Sequence, residues 1–203
     1  CPVDVKLKIH YNMKKKFILL TYLLPTLAVA QMPSWIKQDS VKMIDPNNPA
    51  RVCLELSSRG GKAKSKGCVL NGLRDGVWRN YNESGLIELI EEYKEGKKNG
   101  VLIKLSKDGE INLEENYTND VLNGPRTGYA RNGKIASVTN FKSGVLDGSK
   151  LVYYNDHDAK LQEESYWKDG KKQGVSKWYD QKGNLTIEYT YSDGNLEGLA
   201  KTY

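Results

Sequence analysis

Acidic doublets are the residues of this sequence whose type and spacing first suggest chemistry. Three pairs of adjacent glutamates recur along the chain: Glu91-Glu92, Glu114-Glu115 and Glu163-Glu164. Two carboxylates that flank one bond can act as acid and nucleophile in glycoside hydrolysis. Adjacent residues on a β-strand point to opposite faces, so the members of a doublet cannot face one substrate. We therefore predict that these glutamates are solvated strand charges, which discourage edge aggregation, and that they are not catalytic.

A loop with one histidine is the second candidate. Asp156, His157 and Asp158 supply two carboxylates and an imidazole, which is a weak ligand set for a metal. A nucleophile also needs a base within reach, and no other histidine follows residue 30. The sequence thus predicts no catalytic residues, no metal site and no cofactor. The loop itself is either a tolerated insertion or a protruding contact surface.

Two cysteines, Cys53 and Cys68, are the only ones after residue 30. If Gly60-Gly61 forms a two-residue turn, residues whose numbers sum to 121 face each other, and these cysteines do. Directly opposed strand residues have Cα atoms about 4.5–5.5 Å apart, mostly inside the window for a disulfide. We predict a disulfide at a hydrogen-bonded position of the hairpin, with two free thiols as the alternative.

Tyrosine and tryptophan dominate the aromatic residues, with 13 Tyr and 4 Trp against 2 Phe. Most of these rings are expected to form the core of a sheet, because tyrosine suits a surface that is half buried and half wet. Trp178 is the exception we single out, since it neighbours Tyr179 and must point to the opposite face of its strand. Together with Trp78 and the loop of Asp156, His157 and Asp158, it forms the candidate binding surface.

A repeat of 24 residues positions these side chains. The units open at glycines, and only the step from Gly148 to Gly174 is longer, at 26 residues. The opening glycines are Gly76, Gly100, Gly124, Gly148, Gly174 and Gly198. Counting from each opening glycine, an apolar or aromatic residue stands at position 5, and most units have a turn glycine at position 9, an aliphatic residue at 11 and an aromatic residue at 17. A fixed period of this kind indicates a repeat architecture.

Each unit divides into two strands, at about positions 1–6 and 11–17. Dipeptides such as Asp108-Gly109 and Asn132-Gly133 lie between them and are typical of type I′ turns. The polar link to the next unit predicts a longer, looser turn. From Arg51 to Tyr203 the pattern predicts 13 short strands in an all-β, elongated, single-layer antiparallel meander of tandem β-hairpins with period 24. Its stability must come from cross-strand columns of side chains.

The first 50 residues do not follow the repeat. Residues 13–30 combine a basic start, an apolar run and the small residues Ala28-Val29-Ala30, which is the pattern of a secretory signal peptide. Residues 1–12 are predicted to be an upstream, non-native leader, residues 31–50 a linker or N-terminal cap, and residues 51–203 the repeat domain. We expect a secreted or periplasmic protein with no stable membrane span after signal cleavage, because the apolar run is too short.

Charge gives no sign of a nucleic-acid-binding surface. The chain has 31 Lys and Arg against 25 Asp and Glu, but residues 1–30 hold five of the lysines and one of the acids. The remainder therefore has 26 basic and 24 acidic residues. Because the two signs alternate along the repeats, there is neither a basic stripe for nucleic acid nor a polybasic patch for a membrane surface.

The combined motif resembles a known repeat. The string G-x-W-x-x-Y-x-x-x-G-x-(I/L)…Y-x-x-G-x-x-x-G, over about residues 72–203, is similar to the variant MORN repeat of bacterial proteins called YwqK-family antitoxins. The chain departs from it where Trp78 has no tryptophan equivalents and where Asp120 replaces a linker glycine. The resemblance implies an elongated β-hairpin stack used in protein or membrane association, without catalytic residues. Because the antitoxin label fits poorly with an exported chain, we keep it as a family name only.

These observations lead to two expectations of function. The first is a non-enzymatic protein–protein interaction scaffold of the bacterial envelope or exterior, which binds another protein through a face or an edge of the sheet. The alternative is an envelope glycan-binding module that uses exposed Trp and Tyr side chains. Since the sequence stops midway through a unit at Tyr203, homodimerisation through the C-terminal edge strand is a further expectation.

Overall fold

A computed structural model describes residues 34, 40–57 and 63–203. The predicted leader, the predicted signal peptide and the Gly60-Gly61 turn lie outside the described residues. In the described part the chain forms fifteen strands and no helix. The strands are β1 Val41–Asp45, β2 Asn48–Ser57, β3 Ala63–Leu70, β4 Leu73–Tyr81, β5 Ile87–Lys94, β6 Lys97–Leu105, β7 Ile111–Thr118, β8 Val121–Leu122, β9 Gly124–Tyr129, β10 Ile135–Lys142, β11 Val145–Tyr153, β12 Leu161–Lys168, β13 Lys171–Tyr179, β14 Leu185–Ser192 and β15 Asn195–Thr202.

All fifteen strands belong to one open antiparallel sheet in which neighbours in sequence are neighbours in space. The short β8 lies beside β7, and β9 continues the path. The predicted all-β meander is therefore confirmed. Its 13 strands correspond to β2–β7 and β9–β15, while β8 is additional. A further strand, β1, lies within residues 31–50, for which the sequence suggested only a linker or cap.

The sequence predicted type I′ turns within the units and longer turns between them, and the structure has the opposite arrangement. Links between units are the two-residue turns with positive φ at both positions, as at Glu95 (φ 51) and Gly96 (φ 81), which is the type I′ geometry. In the turn between the two strands of a unit, residues 82–86, Gly85 alone has positive φ; its N–H bonds to the Asn82 carbonyl at 2.9 Å, and Asn82 N–H bonds to the Leu86 carbonyl at 2.9 Å. That pattern is a type I turn closed by a glycine bulge.

Side chains at the loop start favour the wider loop in some of the units. The Asn82 carboxamide oxygen accepts bonds from Ser84 N–H and Leu86 N–H, each at 3.0 Å. The Asp180 carboxylate does the same for Lys182 N–H and Asn184 N–H, each at 2.8 Å. An Asn, Ser or Asp side chain that bonds to the backbone two residues on favours this wider loop over a two-residue turn.

Successive units are joined at their type I′ turns by one backbone hydrogen bond each. The bonds are Gly96 N–H to Arg74 O, Asp120 N–H to Lys98 O, Gly144 N–H to Leu122 O, Gly170 N–H to Leu146 O and Gly194 N–H to Lys172 O, at 2.8–2.9 Å. Each unit therefore makes the same contact with the turn of the next. Because this hydrogen bond recurs at the same position of each unit, successive type I′ turns are regularly spaced along the sheet.

The two faces of the sheet differ in burial. Every fully buried strand residue lies on one face, which we call the packed face. These residues are Val52, Leu54, Ser65, Val69, Trp78, Glu91, Leu102, Glu115, Ser165 and Ser176. The opposite, open face holds most of the exposed large hydrophobic side chains of the described strands, including Leu73, Val77, Val121, Val145, Tyr166, Val175 and Leu199, and Tyr203 follows the last strand. The core of the protein is thus a crowded layer on one side of a single sheet.

Candidate functional site

The packed face carries buried carboxylates, each with a cation. Glu91 is 5% exposed and lies 2.8 Å from Lys98 Nζ, and Glu115 is 7% exposed and lies 2.9 Å from Arg126 Nε. The prediction of solvated glutamates is therefore wrong for these two residues. Their neighbours Glu92 and Glu114 lie on the opposite face, as the alternation predicts. A buried carboxylate needs a charged or hydrogen-bonded partner, and each unit supplies one from an adjacent strand.

Cations also lie over aromatic rings at repeating positions of this face. Arg74 lies 4.3 Å from the Trp78 ring and 5.2 Å from the Tyr93 ring, and Lys98 lies 5.4 Å from the Tyr117 ring. Burial lowers the pKa of Lys98, but its hydrogen bond and charge contact with Glu91 outweigh that effect, so the pKa is raised above its usual value. Where the equivalent position holds leucine, at Leu122 and Leu146, the ring residue is Phe141 or Trp167 instead of tyrosine. The pairs are therefore part of the repeat.

The densest ring cluster lies on the packed face of β12, β13 and β14. Lys172 Nζ is 5.7 Å from the Trp167 ring, 5.0 Å from Trp178 and 5.0 Å from Tyr191. Trp178 also meets Tyr189 edge-on at 5.4 Å. Trp178 lies on the face opposite to Tyr179, but that face is the packed one, so the expectation that Trp178 stands apart from the core of the sheet is wrong; its side chain is half-buried. Beside it, the buried Ser176 hydroxyl is without a hydrogen-bond partner among the described residues.

Trp78 is not an accessible binding residue. Its side chain is fully buried, its indole N–H donates to the Cys68 carbonyl at 2.9 Å, and it packs with Val52, Leu54 and Val69. The expectation that it belongs to a binding surface is therefore wrong. Its indole fills the space over Gly67, a residue without a side chain on the neighbouring strand.

In the loop of His157, the Asp156 carboxylate is engaged in hydrogen bonds within the loop itself. The Asp156 carboxylate accepts bonds from Asp158 N–H at 3.1 Å and Ala159 N–H at 2.9 Å. The His157 side chain is fully exposed, and Lys134 Nζ bonds to its backbone carbonyl. Among residues 34, 40–57 and 63–203, no three His, Cys, Asp or Glu side chains form a group that could hold a metal ion. A contact role for the loop stays a prediction.

A disulfide joins Cys53 and Cys68, as predicted. The two residues are direct partners of β2 and β3, with Cα atoms 3.9 Å apart. This separation is closer to the ~4.5 Å of a non-hydrogen-bonded pair than to the ~5.5 Å of the hydrogen-bonded pair that we predicted. The pairing also shifts by one residue between Leu56 and Ser57, so the register that a two-residue turn would give does not continue to the end of β2.

The open face repeats a tyrosine–glutamate contact. Tyr129 donates its hydroxyl to Glu114 at 3.0 Å, Tyr179 to Glu164 at 2.7 Å and Tyr203 to Glu188 at 2.9 Å. Burial, followed by the bond to Glu164, raises the pKa of Tyr179 to about 12. At the centres of β4, β13 and β15 the open face has exposed apolar side chains: Val77 is 38% exposed, Val175 47% and Leu199 94%.

Two further results concern the chain as a whole. The part of the chain that the structure describes contains no helix long and apolar enough to cross a membrane. The sequence matches no family model, and it matches no curated protein.

Proposed function

We propose that this chain is a non-enzymatic interaction scaffold that binds another protein through the open face of its sheet. The observation that carries the proposal is the set of exposed apolar residues at the centres of the first strands of the units, which includes Val77, Val175 and Leu199. Exposed apolar surface bordered by polar side chains is typical of protein-interaction sites. The resemblance to variant MORN repeats supports the same proposal, because it implies a hairpin stack used in association.

We place the scaffold in the bacterial envelope or outside the cell. The support is the signal-peptide pattern of residues 13–30 together with the Cys53–Cys68 disulfide. Structural disulfides persist in oxidising compartments and are rare in the cytosol. A fractionation of the native host that recovers the chain only from the cytosol would contradict this placement.

Photo-crosslinking in the native host tests the binding face. A photoreactive residue at Val175 should capture one dominant protein, while the same residue at Leu86 should not. Leu86 is the matched control because it is 48% exposed, close to the 47% of Val175, but lies in a turn. Capture from Val175 should also be lost when Val77 is changed to Glu. Equal capture at both positions, or none above background at Val175, would contradict the proposal.

A second candidate function is binding of an envelope glycan. The ring cluster of Trp167, Trp178, Tyr189 and Tyr191 favours it, because these half-buried rings lie beside the Glu163 carboxylate and Lys172. Sugars offer apolar C–H faces to aromatic rings and hydroxyl groups that both donate and accept hydrogen bonds. Binding on a glycan array that disappears with Trp178→Ala would support this function, and an array without signal would dismiss it.

A further inference from the structure

We infer that the partner of the open face is a second copy of this chain, packed open face to open face. The inference rests on the proposed function and names its partner. The two-fold axis runs along the length of the ribbon, over the strand centres. It places each strand above the same strand of the other copy, in the opposite direction. Three properties of the open face lead to this arrangement.

The first property is the position of the apolar residues. Val77 is the central residue of β4, and Val175 is the central residue of β13. The central line of the first strands of the units consists of Val77, Val101, Pro125, Ser149, Val175 and Leu199, without a charged residue. On the axis, each of these residues meets its own copy. Glu92, the β5 partner of Val77, also lies near this line, and its carboxylate accepts a hydrogen bond from Val101 N–H at 3.0 Å.

Residues four positions to either side of the centre are also complementary. The axis brings Leu73 over Tyr81, Val121 over Tyr129 and Val145 over Tyr153 of the other copy. Leu73, Val121 and Val145 are 50%, 43% and 45% exposed, so each has apolar surface to bury. Aliphatic and aromatic side chains are the pairs that fill the layer between two stacked sheets.

The second property is the separation of charge across the centre. Two positions before the centre, the first strands of the units carry acidic or neutral residues: Asp75, Asn99, Asn123, Asp147, Gln173 and Glu197. Two positions after it they carry basic or neutral residues: Arg79, Ile103, Thr127, Leu151, Lys177 and Lys201. The axis therefore places Arg79 over Asp75 and Lys201 over Glu197, and it opposes no like charges at these positions.

The second strands of the units have the same order along the sequence, with acidic or neutral residues before the centre and basic or neutral residues after it. On β12, Tyr166 is the partner of Ser149; Glu164 precedes it by two positions and Lys168 follows it by two, so the axis opposes an acid and a base again. On β10 the corresponding residues are Val138 and Lys142. Complementary charge at matched positions sets the register of an interface and disfavours other pairings.

The third property is size and pitch. From β4 to β15 the sheet has eleven main strands, which at ~4.8 Å each give a face roughly 50 Å long and ~25 Å wide. That face of roughly 1,200 Å² exceeds the ~800 Å² per partner of a standard stable interface. A partner can match the residues of every unit along this length only if its own sheet has the same two-strand repeat. A second copy of the chain has that repeat.

Sedimentation velocity of the purified full chain over a range of concentrations tests the pairing. The unsubstituted chain should form a dimer. Val175→Glu should raise the dissociation constant by about tenfold or more, because it places two carboxylates on the axis. Leu86→Glu, at a similarly exposed turn position, should leave the dissociation constant unchanged. Circular dichroism should show the same strand content for every variant.

A charge exchange tests the register. Lys201→Glu should weaken the dimer, because it opposes Glu197 of the other copy. The double variant Glu197→Lys/Lys201→Glu should restore it, since the pair is then reversed on both copies. A chain that sediments as a monomer at every concentration, or a dimer unaffected by Val175→Glu and Lys201→Glu, would overturn the pairing.

The outcomes separate this inference from the proposed function. If the purified chain is a monomer but Val175 still captures a different protein in the host, the self-pairing is wrong and the scaffold stands. If the chain dimerises with the predicted variant effects and Val175 captures only a second copy, both stand. If it is a monomer and Val175 captures nothing, both are wrong.

Discussion

The indole of Trp78, on β4, covers the α-carbon of Gly67, which lies on the neighbouring strand β3. A Cβ atom built at Gly67 would be 2.3 Å from Trp78 Cδ2. A glycine in a strand interior often marks such a close approach. The contact gives the first hairpins of the sheet an apolar cluster with Val52, Leu54 and Val69.

Gly67→Ala should destabilise the protein by about 1–3 kcal/mol, because the new methyl group forces the indole out of its packed position. Chemical denaturation followed by Trp fluorescence measures the change. Gly128→Ala is the matched control, since its added Cβ would meet only the Ser137 hydroxyl, at 3.0 Å. Equal losses in the two variants would show that the ring contact is not the cause.

Removing the disulfide should destabilise the protein by about 3 kcal/mol. Cys53 and Cys68 are 15 residues apart, and a closed loop of about that length restricts the unfolded chain by this amount. Denaturation of the Cys53→Ala/Cys68→Ala variant, compared with the unsubstituted chain, gives the value. An unchanged unfolding midpoint would contradict the prediction.

Lys98→Met should destabilise the protein by about 2–4 kcal/mol, because it leaves the buried Glu91 carboxylate without its cation. The double variant Lys98→Met/Glu91→Gln should recover most of this loss, since no unpaired charge then remains. Urea denaturation at neutral pH compares the two. If the double variant is as unstable as the single one, the loss comes from packing and not from charge.

The Tyr179 hydroxyl should ionise near its raised pKa of about 12. Because the folded value lies above the unfolded value of 10.0, the unfolded chain loses this proton first as pH rises. The contribution of Tyr179 to stability is therefore intact below pH ~10 and declines between pH ~10 and ~12.

Difference absorbance titration against Tyr179→Phe should follow this ionisation. Glu164→Gln should lower the pKa of Tyr179, since the carboxylate no longer accepts its hydroxyl proton. Glu114→Gln, which affects the equivalent contact of Tyr129, should leave it unchanged. A titration near pH 10 in the unsubstituted chain would contradict the hydrogen bond to Glu164.

The sequence was sufficient to predict the sheet order and the cysteine pair, because a 24-residue period with alternating strands allows little else. It was not sufficient for the turns. Asn132-Gly133 is a type I′ signal by itself, yet here only Gly133 has positive φ, because the wider loop is set by its hydrogen bonds at Ala130. An Asn, Ser or Asp at the loop start was the available signal at Asn82, Ser106 and Asp180. The loop of Asn132-Gly133 starts at Ala130 and lacks this signal.

Burial was the other property that sequence alone did not reveal. Glu91 and Glu115 look like solvent-exposed charges in a strand, and they are buried because Lys98 and Arg126 reach them from the next strand. The same holds for Trp78, whose burial depends on an absent side chain at Gly67. Both effects depend on which residues meet across strands, and that follows only from the register.

The hydrogen bond between successive type I′ turns has a mechanical consequence. Bonds between strands lie along the ribbon, so tension applied at the two ends of the sheet loads them one row after another. The hairpins should then peel away singly at low force, each releasing about the same length of chain. Such a protein should unfold one hairpin at a time under tension and refold one hairpin at a time when the tension is removed.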